Sequence, residues 1–241
     1  MPPRYRLTNS AITENELHRP AGINEPHTIH SKIDASVIWL HGLGADGYDF
    51  EPVARQLLQP DALPNVRFIL PHAPEMAVTR NNGYVMPAWY DIYGVIPVHE
   101  EDEAGIKASQ RYIDTLIQTE VSRGIPHERI IVAGFSQGGA IALHTVLRYP
   151  HKLAAILALS TYLPLHSKLA AEVSVANQNT PIFMAHGIFD DVISLDMSKL
   201  SRDLLQSRQY FVNWHEYRMA HSVCAAEIAD IQAFLKQVLS S

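Results

Sequence analysis

The chain has 241 residues, enough for one sizeable α/β core or, less comfortably, two small ones. Hydrophobic residues make up 47% and charged residues 18%, and the formal net charge is −6, which argues against electrostatic attraction to nucleic acid or an anionic membrane surface. A lone cysteine, Cys224, excludes an intramolecular disulfide and a Cys-based zinc site, and fits a reducing compartment.

In chain order, residues 1–32 are rich in Pro, His and Asn and read as an N-terminal arm or edge hairpin. They lack the apolar run of a signal peptide, and no segment approaches the roughly 20 apolar residues of a membrane span, so a cytoplasmic location is expected. Residues 33–241 read as a single α/β domain. Its strand candidates are Ser36–Leu40, Val66–Leu70, Arg129–Ala133, Ala154–Leu159, Pro181–Ala185 and Gln209–Glu216. Helices are expected near Asp49–Leu58, Asp102–Ser122, Gly139–Arg148, Met197–Gln206 and Val223–Leu239. In the last of these, Ile228, Ile231, Leu235 and Leu239 recur at three- and four-residue spacing and form one buried stripe. Nearly all-apolar central strands alternating with helices predict a mostly parallel central sheet with helices on both faces and right-handed crossovers. Pro71–Val98 shows no helix pattern, and a loop that long in a compact domain is usually functional. The acidic run Glu100–Glu103 suits the N-terminus of the helix that follows.

The segment Ile130–Gly139 carries the chemistry: an apolar strand, then Gly134-Phe-Ser-Gln-Gly138, then an Ala- and Leu-bearing helix. Gly and Ser also populate ordinary turns, but this strand-to-helix context is what a nucleophile elbow requires. It lifts Ser136 above the sheet and aims the N–H of Gln137 at a developing oxyanion. A serine needs a base, and a base needs a carboxylate to hold its tautomer. Of the downstream histidines, His144 lies inside a helix and His215 within a strand, and His186 reads as a packed loop residue. His221 sits on a loop at the sheet's C-terminal edge, where catalytic groups collect, and is the expected base. Asp190 and Asp191 share the turn after Phe183–Ala185, and spacing alone does not separate them. A second oxyanion donor is expected from His41-Gly-Leu-Gly-Ala-Asp-Gly47, where glycines let the N–H of Leu43 point inward. A phosphate-binding reading of those glycines lacks the lysine and Ser/Thr of a Walker loop, and no His-Glu-x-x-His spacing suggests a metal.

With these residues in hand, the chain resembles the carboxylesterase and acyl-protein thioesterase family, also described as phospholipase/carboxylesterases, of the α/β-hydrolase superfamily. The matching motifs are Leu40-His-Gly-Leu-Gly-Ala-Asp-Gly47, Pro71-His-Ala-Pro74, Trp89-Tyr-Asp91, Gly134-Phe-Ser-Gln-Gly-Gly139, His186-Gly-x-x-Asp190 and His221-Ser-Val223, in family order over roughly residues 33–240. The resemblance implies an α/β-hydrolase fold with Ser136, Asp190 and His221 as the triad, favouring Asp190 over Asp191, and Leu43 and Gln137 as oxyanion donors. It also implies that Pro71–Val98 borders an acyl-binding groove, with Trp89 as a groove residue. Met86, among that segment's apolar residues, is a second candidate to line it. The expected activity is hydrolysis of carboxylic esters or thioesters through an acyl-enzyme on Ser136, without a cofactor. The alternatives are a lysophospholipase or a protein S-deacylating thioesterase. An inactive hydrolase-fold binding module is the rival from another class, disfavoured because every catalytic role has a candidate. A homodimer is suggested by the resemblance alone. Ala220 departs from the glycine that many relatives carry before the histidine, and Cys224 reads as a small buried residue rather than a second nucleophile.

Overall fold

A computed structural model describes residues 5–8, 33–58, 63, 65–94 and 100–240. The rest of the N-terminal arm and Val95–Val98 lie outside the described residues. The strands are β1 (Tyr5–Thr8), β2 (Ala35–Leu40), β3 (Val66–Pro71), β4 (Glu75–Val78), β5 (Tyr84–Pro87), β6 (Ile130–Phe135), β7 (Ala155–Leu159), β8 (Ile182–Gly187) and β9 (Val212–Tyr217). The helices are α1 (Glu51–Leu57), α2 (Glu103–Ser122), α3 (Gln137–Arg148), α4 (Leu169–Glu172), α5 (Leu195–Ser207) and α6 (Ala225–Leu239).

Seven strands form one sheet in the order β1-β3-β2-β6-β7-β8-β9. β2, β3 and β6 to β9 run parallel, while β1 joins the β3 edge antiparallel. Residues on each central strand divide strictly between the two faces, because side chains alternate along a strand. Ile38, Leu40, Ile130, Val132, Ile156 and Met184 pack with α2 and α3, whereas Val37, Trp39, Ile131, Leu157 and Phe183 pack with α1 and α6. Both faces are therefore dry, which explains why these strands read as continuous apolar runs. Each fully buried Leu or Ile contributes about 1.5–3 kcal/mol.

Local signals place the helix ends. Asp102 caps α2 by accepting the N–H of Gly105, and Ser194 caps α5 by accepting that of Met197. The structure moves most expected boundaries by one to three residues, and two of the shifts have a plain local cause. α3 starts at Gln137 rather than Gly139, because the elbow runs into the helix without a linking turn. β9 starts at Val212 rather than Gln209, because α5 runs to Ser207 and Gln209 turns the chain at φ 65°. The segment after β3 holds a hairpin absent from the sequence reading: β4 and β5 pair antiparallel around a 3₁₀ turn at Thr79–Asn81. β6 and β7 end level with each other (Phe135 opposite Leu159), and β8 runs two residues past Ala185, which lies opposite Leu159, so the residues that follow the three strands share one edge of the sheet.

Candidate active site

Ser136 follows β6 directly and is the residue before α3, with φ 54° and ψ −120°. Such a backbone costs a non-glycine residue about 1–3 kcal/mol and persists only where its surroundings hold it. Here the serine N–H donates to Leu159 O (2.8 Å) and its carbonyl accepts from Thr161 Oγ1 (2.7 Å). The turn is so tight that neighbouring side chains have no room. A Cβ on Gly134 would lie 2.2 Å from Gly138 C and O, and one on Gly138 would lie 2.4 Å from Leu40 O.

Ser136 Oγ is 2.9 Å from His221 Nε2, and His221 Nδ1 is 2.7 Å from Asp190 Oδ2. A carboxylate only accepts, so Nδ1 carries the hydrogen and Nε2 is left with a lone pair facing the serine hydroxyl. Asp190 stands on the turn after β8. Its Oδ1 accepts the N–H groups of Val192 and Ile193 at 2.9 Å each, and its side chain is fully buried. Burial pushes this carboxyl up, but the contacts from His186 and His221 and the Ile193 N–H outweigh it and hold it well below the usual carboxylate range. Asp191 is exposed. His186 is the penultimate residue of β8 and is buried, with Nε2 2.8 Å from Ile193 O and 3.3 Å from Asp190 Oδ2. The sequence predicts a packed loop histidine here and carries no signal of this proximity to Asp190. His144 is buried in α3 against Gln110, and His215 stacks on Phe183.

Leu43 and Gln137 flank Ser136 in the same cavity, and neither backbone N–H donates to a protein acceptor among the described residues. Their loops are held from behind. Ala73 N–H donates to His41 Nε2 (3.0 Å), so His41 Nδ1–H donates to Gly42 O (2.7 Å). Burial lowers the pKa of this imidazole and favours the neutral form that such bonding needs. The Gln137 side chain accepts from Trp89 N (2.8 Å) and donates to Tyr90 O (2.7 Å), tying α3 to the segment after β5.

The cavity occupies about 460 Å³. Phe50, Val53, Ile92, Phe135, Val192 and Val223 make it mostly apolar, and Ser136, Gln137 and His221 also line it. Both groove residues expected from the sequence lie outside the lining of this cavity. Trp89 is 2% exposed, and its indole turns inward to donate to His41 O (2.8 Å), so it supports the loop that carries Leu43. Met86 is half-buried on β5, with its sulfur 3.4 Å from Asn81 Nδ2, outside the cavity lining. Tyr90, Ile92 and Arg80 from the same stretch line the cavity instead. Among them only Tyr90 lay within a motif recognised from sequence. Among the described residues, no group of His, Cys, Asp or Glu is arranged to hold a metal ion.

Comparison with known proteins matches this architecture to hydrolases. The family model for Phospholipase/Carboxylesterase matches residues 23–239. A relative named acyl-protein thioesterase 1 from Neurospora crassa is 45% identical over 213 residues, covering 85% of this chain and 87% of the relative. Another of the same name from Yarrowia lipolytica is 40% identical over 207 residues, covering 84% and 91%. Among solved structures, Arabidopsis thaliana SOBER1 superposes with a TM-score of 0.81 at 29% identity, covering 85% of this chain and 99% of that one. Acyl-protein thioesterase 2 from Zea mays superposes with a TM-score of 0.78 at 26% identity, covering 98% and 99%. The α/β-hydrolase sheet, the elbow that presents Ser136 and these matches lead to one conclusion: the chain belongs to the phospholipase/carboxylesterase family of serine hydrolases.

Proposed function

We propose that this protein hydrolyses carboxylic esters and thioesters of apolar acyl groups by a two-step acyl transfer through Ser136. The observation that carries the reading is the unbroken path Asp190–His221–Ser136, with spacings of 2.7 and 2.9 Å, beside two backbone N–H groups that have no acceptor among the described residues, in a largely apolar cavity. Ser136 Oγ attacks the acyl carbon while His221 Nε2 takes its proton. The N–H groups of Leu43 and Gln137 receive the oxyanion, and each such donor is worth about 2.7–4 kcal/mol where it has been removed in other enzymes. Asp190 stays ionised and stabilises the imidazolium, which then protonates the leaving alcohol or thiol. Water, deprotonated by His221, attacks the acyl-enzyme, and the carboxylic acid departs as Ser136 regains its proton.

The curated relatives named acyl-protein thioesterase support the thioester of an S-acylated protein as the substrate class. The apolar wall opposite the nucleophile supports an acyl chain rather than a polar one. The lone cysteine, half-buried Cys224, fits placement in the reducing cytoplasm.

The test is kcat/KM on oxygen esters and thioesters of increasing chain length, ending with an S-palmitoyl peptide, for wild type and Ser136→Ala. Each methylene that enters the apolar cavity contributes about 0.8 kcal/mol, a roughly fourfold rise in kcat/KM, until the wall is filled. The expected result is such a rise, with the S-acyl peptide cleaved and Ser136→Ala inactive. Indifference to chain length would overturn the acyl-group assignment. Cleavage of lysophospholipids in preference to the S-acyl peptide would reassign the substrate.

A further inference from the structure

The candidate triad accounts for one of the two histidines beside Asp190. The other, His186, is fully buried and closes the same turn from the opposite side. Ile193 O can only accept, so the 2.8 Å contact requires that His186 Nε2 carry its hydrogen. The same nitrogen stands 3.3 Å from Asp190 Oδ2, the oxygen that His221 uses. His186 Nδ1 is buried and has no partner among the described residues, so all of the polar contact this side chain makes is directed at the Asp190–Ile193 turn. Asp190 Oδ1 meanwhile accepts the N–H groups at residues 192 and 193. The carboxylate is thus fixed at one oxygen by the backbone of its own turn, while the other oxygen lies between two imidazoles.

We infer that His186 is a positioning residue for the reaction proposed above: its Nε2–H locks the Asp190–Ile193 turn and shares the carboxylate's charge, so that Asp190 meets His221 in one orientation and with moderated basicity. The inference rests on the reading of Ser136, Asp190 and His221 as the triad. A buried imidazole serving only to fill space would not need its sole donor aimed at the base's partner, since an apolar side chain fills the same volume without burying a polar nitrogen. Two ionic groups on the neighbouring strand and the loop after it are engaged elsewhere. Glu216, opposite His186 on β9, pairs with Lys199 of α5 at 3.0 Å, and the Arg218 guanidinium lies over the Phe189 ring.

The experiment compares wild type, His186→Leu and His186→Gln. It reads kcat and KM from pH 5 to 9 on a soluble p-nitrophenyl ester, active-site counts from a fluorophosphonate that labels the serine, and urea stability. The leucine variant is expected to lose kcat per labelled site by roughly 10- to 100-fold, the scale of a displacement below or near 1 Å, with KM little changed. Its acidic limb in kcat/KM is expected to move to higher pH, because an unshared carboxylate holds the proton on His221 more tightly. Glutamine, which restores an N–H at a similar reach, is expected to recover most of kcat and return the limb. A leucine variant with wild-type kcat per labelled site and an unmoved limb overturns the proposal, whatever its stability. So does a loss of kcat that glutamine does not relieve. Wild-type protein that neither turns over nor labels at Ser136 overturns the underlying triad reading and this inference with it, which separates the two failures.

Discussion

Gly187 offers a steric way to displace His221, the proposed general base, without touching it. The residue ends β8, and a Cβ built there would lie 2.4 Å from both Met219 O and Ala220 O. Real Cβ contacts essentially never fall below 3.0 Å, so both carbonyls must retreat by at least about 0.6 Å. Neither is free to do so cheaply, because Met219 O accepts Phe189 N (3.0 Å) and Ala220 O accepts Ser222 N (2.9 Å) across His221 itself. A retreat of that size, passed on in full along the His221–Ser136 line, lengthens that contact from 2.9 Å to about 3.5 Å, outside hydrogen-bond range. Gly187→Ala is therefore expected to lose about 1–3 kcal/mol of stability from overpacking. It is also expected to lose roughly 100-fold in kcat/KM, equivalent to about 2.7 kcal/mol of transition-state stabilisation. Urea unfolding and p-nitrophenyl ester kinetics on the same preparation measure both. A variant within twofold of wild type in kcat/KM and equal in stability would refute the reasoning, since it would show that the loop yields without moving His221.

Two further outcomes follow from the electrostatics. Glu227 is fully buried in the first turn of α6, and desolvation, only partly offset by the Cys224 N–H and reinforced by Asp230, raises its pKa from 4.5 to about 8. Because the folded-state value lies above the unfolded one, the carboxyl costs nothing below about pH 4.5 and progressively destabilises the fold as pH rises toward 8. Glu227→Gln is accordingly expected to gain about 1–3 kcal/mol at pH 8 and almost nothing at pH 4.5. Urea titrations at the two pH values decide it, and a gain independent of pH would contradict the assignment. Asp190→Asn leaves the turn's shape but lets His221 adopt the wrong tautomer, so kcat is expected to fall about 10³- to 10⁴-fold with KM little changed. A smaller loss than that of His186→Leu would reverse the ranking of the two residues.

Much of this arrangement was legible in the sequence because physics left unambiguous marks. Strands buried on both faces must be apolar throughout, so β2, β6, β7 and β8 stood out, and the elbow announced itself through glycines at 134 and 138 that no side chain can replace. Other features left no such mark. β4 and β5 are only four residues each and present no long alternation, so the hairpin was invisible. Asp190 and Asp191 differ by one position, and only the turn geometry buries one carboxylate against His221 while leaving the other in solvent. Trp89 carries a polar N–H and a large apolar body, suiting either a groove or a core. Its partner, the carbonyl of His41, belongs to another loop that spacing cannot bring near. For the same reason His186 read as filler: the contact that matters, to Ile193 O, depends on how the following turn closes.

The central claim is that Ser136 forms the covalent intermediate. Its most direct test is to treat the folded protein with a fluorophosphonate, digest it with trypsin and locate the adduct by mass spectrometry. One adduct per chain on the peptide Ile130–Arg148, placed at Ser136 and absent from both Ser136→Ala and unfolded protein, is the result this account predicts. An adduct at another residue, or ester turnover that survives in Ser136→Ala, would contradict it.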